Sequence, residues 1–464
     1  RKRTPTAEYC CASGLPLGRG ATPKQAIFVP HEQVIPLRVV HLNTYQSTGG
    51  AAVAAGRLNR ALNQIGIDST LLVQESTHSE ADVEALATSF LAKKMAFARF
   101  GGERLAFLPF EKDKSVRFQF SPAITGVDLT YNSLVRQADI LHLHWVNFGF
   151  FSVEGLASLM RLEKPVVWTM HDMWPFTGGC HHSGTCENYQ RECGNCVPFL
   201  RSPGPDDLSH QVWLRKQKAY SSAHLVPVGC SEWLTNRARK SGLFRPFPVL
   251  TIPNPIDTTL FQPIEKAEAR QALGLPTNRR LILFAAAKVS TVGKGFTYFQ
   301  QALHHLHSQL ENPREVELLI FGAGDKGLLH ELPFQYHFLG PLSDMTRISQ
   351  AYNAADMFVI PSLAENLPNT IMESMACGTP AVGFQVGGIP EMIQHRESGY
   401  LAHYKSAEDL SAGMNWLLNL SPTNYAAVSH AARQHVLAHY DEAVVAGQYA
   451  GLYESLLSSE VRHL

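Results

Sequence analysis

Two carboxylates, Glu365 and Glu373, frame the segment Glu365-Asn366-Leu367-Pro368-Asn369-Thr370-Ile371-Met372-Glu373. Pro368 suits the first turn of a helix and Gly378 a stop, so Glu365 falls in a strand-to-helix loop and Glu373 on the helix, facing the same opening. Free backbone N–H groups at such a helix start attract an anion. Carboxylates beside that site can accept hydrogen bonds from sugar hydroxyls on either side of a phosphate. Alone, the pair also admits a plainer reading, a helix cap and a solvated face. The neighbouring residues favour the first. Lys288 and the turn Gly293-Lys294-Gly295 put cations where phosphates would approach. Phe321-Gly322-Ala323-Gly324 and Gly387-Gly388-Ile389-Pro390-Glu391 end strands with small residues that let a ligand come close to the backbone.

The elements that must hold these residues read as two series of alternating strands and helices. Leu37–Leu42, the glycine turn Gly49-Gly50, a helical pattern over Ala51–Ile65 and Asp68–Val73 form a βαβ unit, which implies a parallel sheet. Strands follow at Ile140–His144, Val166–Met170, Leu225–Val228 and Val249–Ile252, until Pro253-Asn254-Pro255-Ile256-Asp257 breaks the series. A second series has strands at 281–284, 317–321, 357–360 and 380–384. We therefore expect an α/β protein of two doubly wound, Rossmann-like domains facing a cleft. The expected boundaries are a loosely ordered extension over 1–36, an acceptor-side domain over 37–262 and a donor-binding domain over 263–445. A terminal helix over 446–464 is expected to pack back on the first domain.

On these residues the chain resembles family-4 glycosyltransferases of the GT-B fold, which are retaining enzymes using nucleotide-diphospho-sugars. The carriers are the E-x7-E pair Glu365…Glu373, the runs Gly378-Thr379-Pro380-Ala381-Val382 and Gly387-Gly388-Ile389-Pro390-Glu391, the glycine loop at Gly49-Gly50, and Asn254-Pro255-Ile256-Asp257. The resemblance spans about residues 37–464 and implies roles. Glu365, with Asn366 and Leu367 beside it, would hold the donor sugar, and Glu373 the ribose. Lys294 would contact the diphosphate, Gly50 would offer a close backbone approach, and Gly322 would lie by the donor. His144 aligns with the family's active-site histidine, and His171 would line the acceptor side. Relatives often carry Arg where this chain has Ala285-Ala286-Ala287-Lys288; either Lys288 takes over that diphosphate contact, without the bidentate fork, or the place is empty.

The implied reaction moves a hexose from a nucleotide-diphospho-sugar to a saccharide or lipid-linked saccharide, in surface-polysaccharide assembly. Its central demand is stabilisation of the departing diphosphate, which helix dipoles and Lys294 would meet with no metal or other cofactor. Rival readings on the same scaffold are a nucleotide-sugar 2-epimerase, a sugar phosphorylase and a non-catalytic nucleotide-sugar-binding protein. No marker of the first two is found, and the presence of the Glu pair and Lys294 argues against the third.

Cys180, Cys186, Cys193 and Cys196 form a separate cluster in an insert over 178–200. Four thiols ending in C-x2-C suggest a structural zinc knuckle, with His181 and His182 as substitute ligands; free or redox thiols are the alternative. The insert resembles one in colanic-acid and other exopolysaccharide transferases.

Composition narrows the rest. The chain has 464 residues, 45% hydrophobic and 17% charged, enough apolar material for two cores. Lys and Arg outnumber Asp and Glu by 27 to 21 over residues 1–263, and the balance reverses to 13 against 19 afterwards. That is far from the dense basic stripe of a nucleic-acid binder. The first-half excess, with Lys93, Lys94, Arg99, Lys112 and Lys114 interleaved with phenylalanines, fits peripheral contact with an anionic membrane; a solvated amphipathic helix is the plainer alternative. The longest uncharged run, Leu410–Ala432, is broken by polar residues, so the expected location is cytoplasmic, with a peripheral place at the inner membrane face.

Overall fold

The computed structural model describes residues 37–458 apart from 222 and 325. The extension expected over 1–36 lies outside the described residues. Two parallel sheets organise the chain. The first contains β1 (Arg38–Tyr45), β2 (Asp68–Glu75), β3 (Val83–Ala85), β4 (Ile140–Leu143), β5 (Val166–Met170), β6 (Leu225–Gly229) and β7 (Leu250–Thr251). Their order is β3-β2-β1-β4-β5-β6-β7. The second contains β8 (Arg280–Lys288), β9 (Val316–Ala323), β10 (Tyr336–Phe338), β11 (Met357–Ile360), β12 (Ala381–Phe384) and β13 (Gly399–Ala402), in the order β10-β9-β8-β11-β12-β13.

Central strands such as Val166-Val167-Trp168-Thr169-Met170 are buried at every position. Helices cover each sheet on two faces, which is why these strands read as continuous apolar runs rather than alternating ones. In each sheet the chain order reverses beside the first strand, at β1/β4 and at β8/β11. Ligands in doubly wound sheets bind outside the carboxyl ends of the strands at that reversal. The two reversals open on one cleft.

The short edge strands β3, β10 and β13 went unread in the sequence. So did the true start of the last helix, Glu442–Leu457. That helix packs on the helix Gly50–Gln64, and its Tyr449 and Tyr453 are buried with Val39, Leu58 and Ile140 of the first domain. The chain thus crosses between domains twice. The crossings are stitched together where Ile256 N–H donates to the Tyr440 carbonyl (2.8 Å) and Glu442 N–H to the Ile256 carbonyl (3.1 Å). Among the described residues no helix is long and apolar enough to cross a membrane.

Candidate functional site

The interdomain cleft encloses about 490 Å³. Two helix N-termini open on it. From the first domain, Gly49 at φ 89° turns the chain into the helix Gly50–Gln64, which has no side-chain cap, and Gly50, Ala51 and Ala52 line the cleft. From the second, the helix Asn369–Ala376 starts after Pro368, again without a side-chain cap, and Asn369 and Thr370 line the cleft. Uncapped amides and the positive dipole ends therefore converge, an arrangement suited to an anion. Pro368 stands at the cap position, one residue earlier than the first turn expected for it.

Lys294 joins them from a tight turn. Gly295 follows at φ 70°, and a Cβ there would lie 1.8 Å from the Pro361 carbonyl oxygen, so only glycine lets this turn sit against β11. The Lys294 ammonium pairs with Glu365, whose carboxylate also accepts the Ser362 hydroxyl at 3.0 Å. Gly387 and Gly388 do not line the cleft. They let the next turn pack under the Glu365 loop, where Gly388 N–H donates to the Asn366 carbonyl (2.9 Å).

Several expected donor contacts are committed to the domain seam instead. Glu373 is 7% exposed and accepts from Arg57 Nη2 across the boundary (2.8 Å) and from the Tyr352 hydroxyl (3.1 Å). Asn366 lines the cleft but accepts from Ser231 Oγ (2.6 Å) and donates to the His171 carbonyl (3.1 Å). Glu391 accepts the Glu232 and Trp233 amides, each at 2.7 Å, and so caps the helix Glu232–Lys240 of the other domain. Leu367 lines the cleft. Lys288 is exposed and Gly322 buried, and neither lines it; a Cβ on Gly322 would meet the Ala286 carbonyl at 1.8 Å, so its smallness serves strand packing.

Residues given no role in the cleft by the motifs complete the walls: Asn43 and Tyr45 at the end of β1, Trp145 after β4, Asp172 after β5, and His182, which the sequence offered as a zinc ligand. Their signal was position, at the carboxyl ends of strands around the reversal. Asp172 accepts Trp145 Nε1 (2.9 Å), His181 Nδ1 (2.6 Å) and Trp174 N–H (2.8 Å). Burial opposes its charge, yet His181, His182 and these hydrogen bonds hold its carboxyl down to about 2.

The histidines form a buried group. His144 is 3% exposed and does not line the cleft; its Nε2 meets His41 Nδ1 at 2.9 Å and its Nδ1 meets His171 Nε2 at 3.2 Å. His171 is the one that lines the cleft. His142 is deeper, bonded to the Tyr453 hydroxyl (2.6 Å) and Thr169 Oγ1 (2.7 Å). The ring nitrogens of His41, His142 and His144 cluster within 4.8 Å. Both nitrogens of His142 and of His144 are engaged, and only His41 Nε2 is left without a partner, so these rings form a hydrogen-bond network and offer too few free lone pairs for a metal.

The four cysteines of the insert line one small cavity of about 20 Å³. The donor set suits zinc, and Gly178 N–H donates to Cys193 Sγ at 3.1 Å. The spacing does not: among the described residues no three of these sulfurs lie within 4.8 Å of one another. Cys196 packs instead with Phe107, Phe120 and Phe199. His181 and His182 serve elsewhere, the first on Asp172 and the second in the cleft wall.

Two parallel-sheet domains with uncapped helix starts facing across a cleft are the GT-B arrangement. Residues 48–260 match the profile of Glycosyltransferase Family 4, and residues 279–420 that of Glycosyl transferases group 1. The chain is 32% identical over 310 residues to an uncharacterized glycosyltransferase of Methanocaldococcus jannaschii, covering 62% of this chain and 75% of that one. It is 24% identical over 427 residues to D-inositol 3-phosphate glycosyltransferase 2 of Catenulispora acidiphila, covering 86% and 92%. Among solved structures, sucrose-phosphate synthase from Thermosynechococcus elongatus shares the fold with a TM-score of 0.61 at 19% identity, over 90% of this chain and 99% of that one. The chain belongs to glycosyltransferase family 4, and it is a glycosyltransferase.

This geometry has two measurable consequences. The spread of the thiols leads us to expect well under one zinc per chain on metal analysis of the purified protein, and no loss of thermal stability with a chelator; one tightly held equivalent would show that the loop closes on the metal. Burial lowers His41 to about 3 and His171 to about 4, with His142 and His144 held well below their ordinary value of 6.5. The unfolded chain takes up protons near 6.5 that the folded chain refuses, so unfolding free energy should fall as pH drops from about 6.5 towards 4. Denaturant titrations across that window should show a shallower decline in His41→Asn.

Proposed function

We propose that the protein transfers a hexose from a nucleotide-diphospho-sugar, with retention at the anomeric carbon, to a saccharide or lipid-linked saccharide in surface-polysaccharide assembly. The observation that carries this reading is the convergence of two uncapped helix starts and the Lys294–Glu365 pair on one cleft. A diphosphate entering there meets backbone amides from both domains and draws the Lys294 ammonium to itself. Glu365, released from that pair, is then free to accept from sugar hydroxyls. Negative charge grows on the departing diphosphate as the glycosidic bond breaks, and preset amides and an ammonium stabilise it with little reorganisation. In this reading the step needs no metal ion. Attack comes from the face the diphosphate leaves, and a diphosphate oxygen takes the acceptor's proton. Similar folds in Anabaena HepE, solved with UDP and with UDP-glucose at TM-scores of 0.59 and 0.58, support the donor class.

The helix Phe90–Phe107 bears on the acceptor. Phe90 (78% exposed), Leu91 (69%), Met95 (55%), Phe97 (71%) and Leu105 (69%) lie on its outer arc with Lys94 among them. A solvated face would be polar, whereas apolar rings with interleaved ammonium groups suit an anionic bilayer surface. Aromatic contacts lead inward, from Phe97 to Phe100 (6.3 Å), Phe148 (5.7 Å) and Trp145 (4.8 Å) at the cleft wall. This supports a peripheral place on the cytoplasmic membrane face and an acceptor delivered from it.

A panel of nucleotide-sugars scored by thermal shift and then by transfer should identify a donor. With that donor, Lys294→Ala and Glu365→Gln should each lose transfer by about 100-fold or more while keeping the wild-type melting temperature; wild-type turnover in both would sink the assignment. Sedimentation with liposomes should rise with anionic lipid content, and the Phe97→Ser, Lys94→Glu double variant should stay in the supernatant.

A further inference from the structure

On the first-domain wall of the cleft two aromatic rings stand at the strand reversal, Tyr45 ending β1 and Trp145 following β4. Their backbones are locked together. Asn43, 1% exposed, donates from Nδ2 to the Tyr45 carbonyl (2.6 Å) and accepts the Trp145 N–H at Oδ1 (2.9 Å), and Thr44 N–H donates to the Trp145 carbonyl (2.8 Å). The two rings lie nearly parallel, 5.9 Å apart at 22°. Trp145 is committed elsewhere as well: its Nε1 donates to Asp172, Phe148 meets it edge-on at 4.8 Å, and His181 lies 5.8 Å away. Phe148 is held at φ 60°, a conformation that bulky side chains rarely adopt, and such strain gathers at functional sites. Tyr45 is freer. It is half-buried, and among the described residues Trp145 is its one ring neighbour and its hydroxyl has no partner.

A clamped ring with a free hydroxyl suits a ligand that is apolar on one face and polar around its edge, which is the build of a pyranose. The charge on this wall narrows the class. Among the described residues that line the cleft, the first domain supplies no Lys or Arg, and its one carboxylate is Asp172. Burial takes His171 down to about 4 and lowers His182, so neither adds a cation at neutral pH. Lys294 belongs to the opposite wall, and with the donor in place it and the amides at Gly50 face the diphosphate. We propose that the sugar receiving the hexose is an uncharged pyranose, stacked on the Tyr45 ring with the Tyr45 hydroxyl donating to one of its oxygens, and that a phosphorylated sugar is rejected because its charge meets Asp172 and no cation. Burial and the Glu75 carboxylate raise the Tyr45 phenol, so the hydroxyl keeps its proton. The proposal rests on the nucleotide-sugar reading for calling this sugar the acceptor; the platform and its charge preference belong to the wall itself.

Saturation-transfer-difference NMR of the full chain with UDP present, against the methyl pyranosides of glucose, galactose, mannose and N-acetylglucosamine, reads the platform directly. At least one glycoside should bind, with the strongest transfer to the ring protons of one face. Tyr45→Ala should weaken that glycoside about tenfold or more and erase the contrast between faces, and Tyr45→Phe, which keeps the ring and loses the hydroxyl, should weaken it about threefold. The 6-phosphate of the same sugar should bind the wild type about tenfold more weakly or worse. Binding by none of the four, no contrast between faces in the wild type, a preferred 6-phosphate, or undiminished binding in Tyr45→Ala would each overturn the proposal; the first three need no variant to fold. Calorimetry with UDP separates this wall from the donor site, since a loss of UDP affinity in Tyr45→Ala at a wild-type melting temperature would put the nucleobase on the ring and overturn the acceptor assignment. If UDP and the donor panel all fail to bind the wild type, the nucleotide-sugar reading falls, while the glycoside series run without nucleotide still tests the platform.

Discussion

A guanidinium only 2% exposed has to be answered by a charge, and Arg57 is answered from the other domain by Glu373 at 2.8 Å. Removing either partner would leave an uncompensated buried charge, at a cost of about 3–5 kcal/mol. The pair is anchored on each side, since Arg57 lies over the Phe261 ring and Glu373 accepts from Tyr352. Around it, Asn366 reaches Ser231 and the His171 carbonyl, Asn369 reaches the Gly50 carbonyl, and Glu391 caps a helix of the first domain. This seam sets the distance between the two uncapped helix starts, and with it the shape of the cleft.

The seam also places the cleft's chemistry in context. Residues that belong to one motif in the linear chain divide between two tasks. Glu365 faces the ligand space beside Lys294, while Glu373, at the other end of the motif, ties the domains together. A ribose approaching Glu373 would meet a carboxylate already engaged with Arg57. This carboxylate is thus tied to domain contact, and a change at Glu373 is a change at the seam.

Local pattern carried most of the architecture. The apolar runs of the central strands and the turn at Pro253–Asp257 were legible because burial on two faces and a break in periodicity both leave marks on adjacent residues. The edge strands β3, β10 and β13, each three or four residues long, leave almost none. At the site, Lys294, Gly50 and Glu365 stood out by motif and line the cleft. Glu373 could not be separated from them, because its partner Arg57 lies 316 residues away. Gly322 was expected to let a ligand come close to the backbone; the group packed against it is the Ala286 carbonyl. His144 looked like the cleft histidine from its strand-end position; the packing of three rings in line puts His171 there instead.

The doubled crossing near Ile256 and Asp441 has a modular consequence. Helix Glu442–Leu457 is last in the chain yet completes the hydrophobic interior of the half that comes first. Cutting the polypeptide at the linker would free neither half intact: the leading fragment would expose the surface that Tyr449 and Tyr453 cover, and the trailing one would carry a stray, largely apolar tail. Chimeras that exchange donor specificity between relatives have to swap an internal block and leave both ends of the recipient in place.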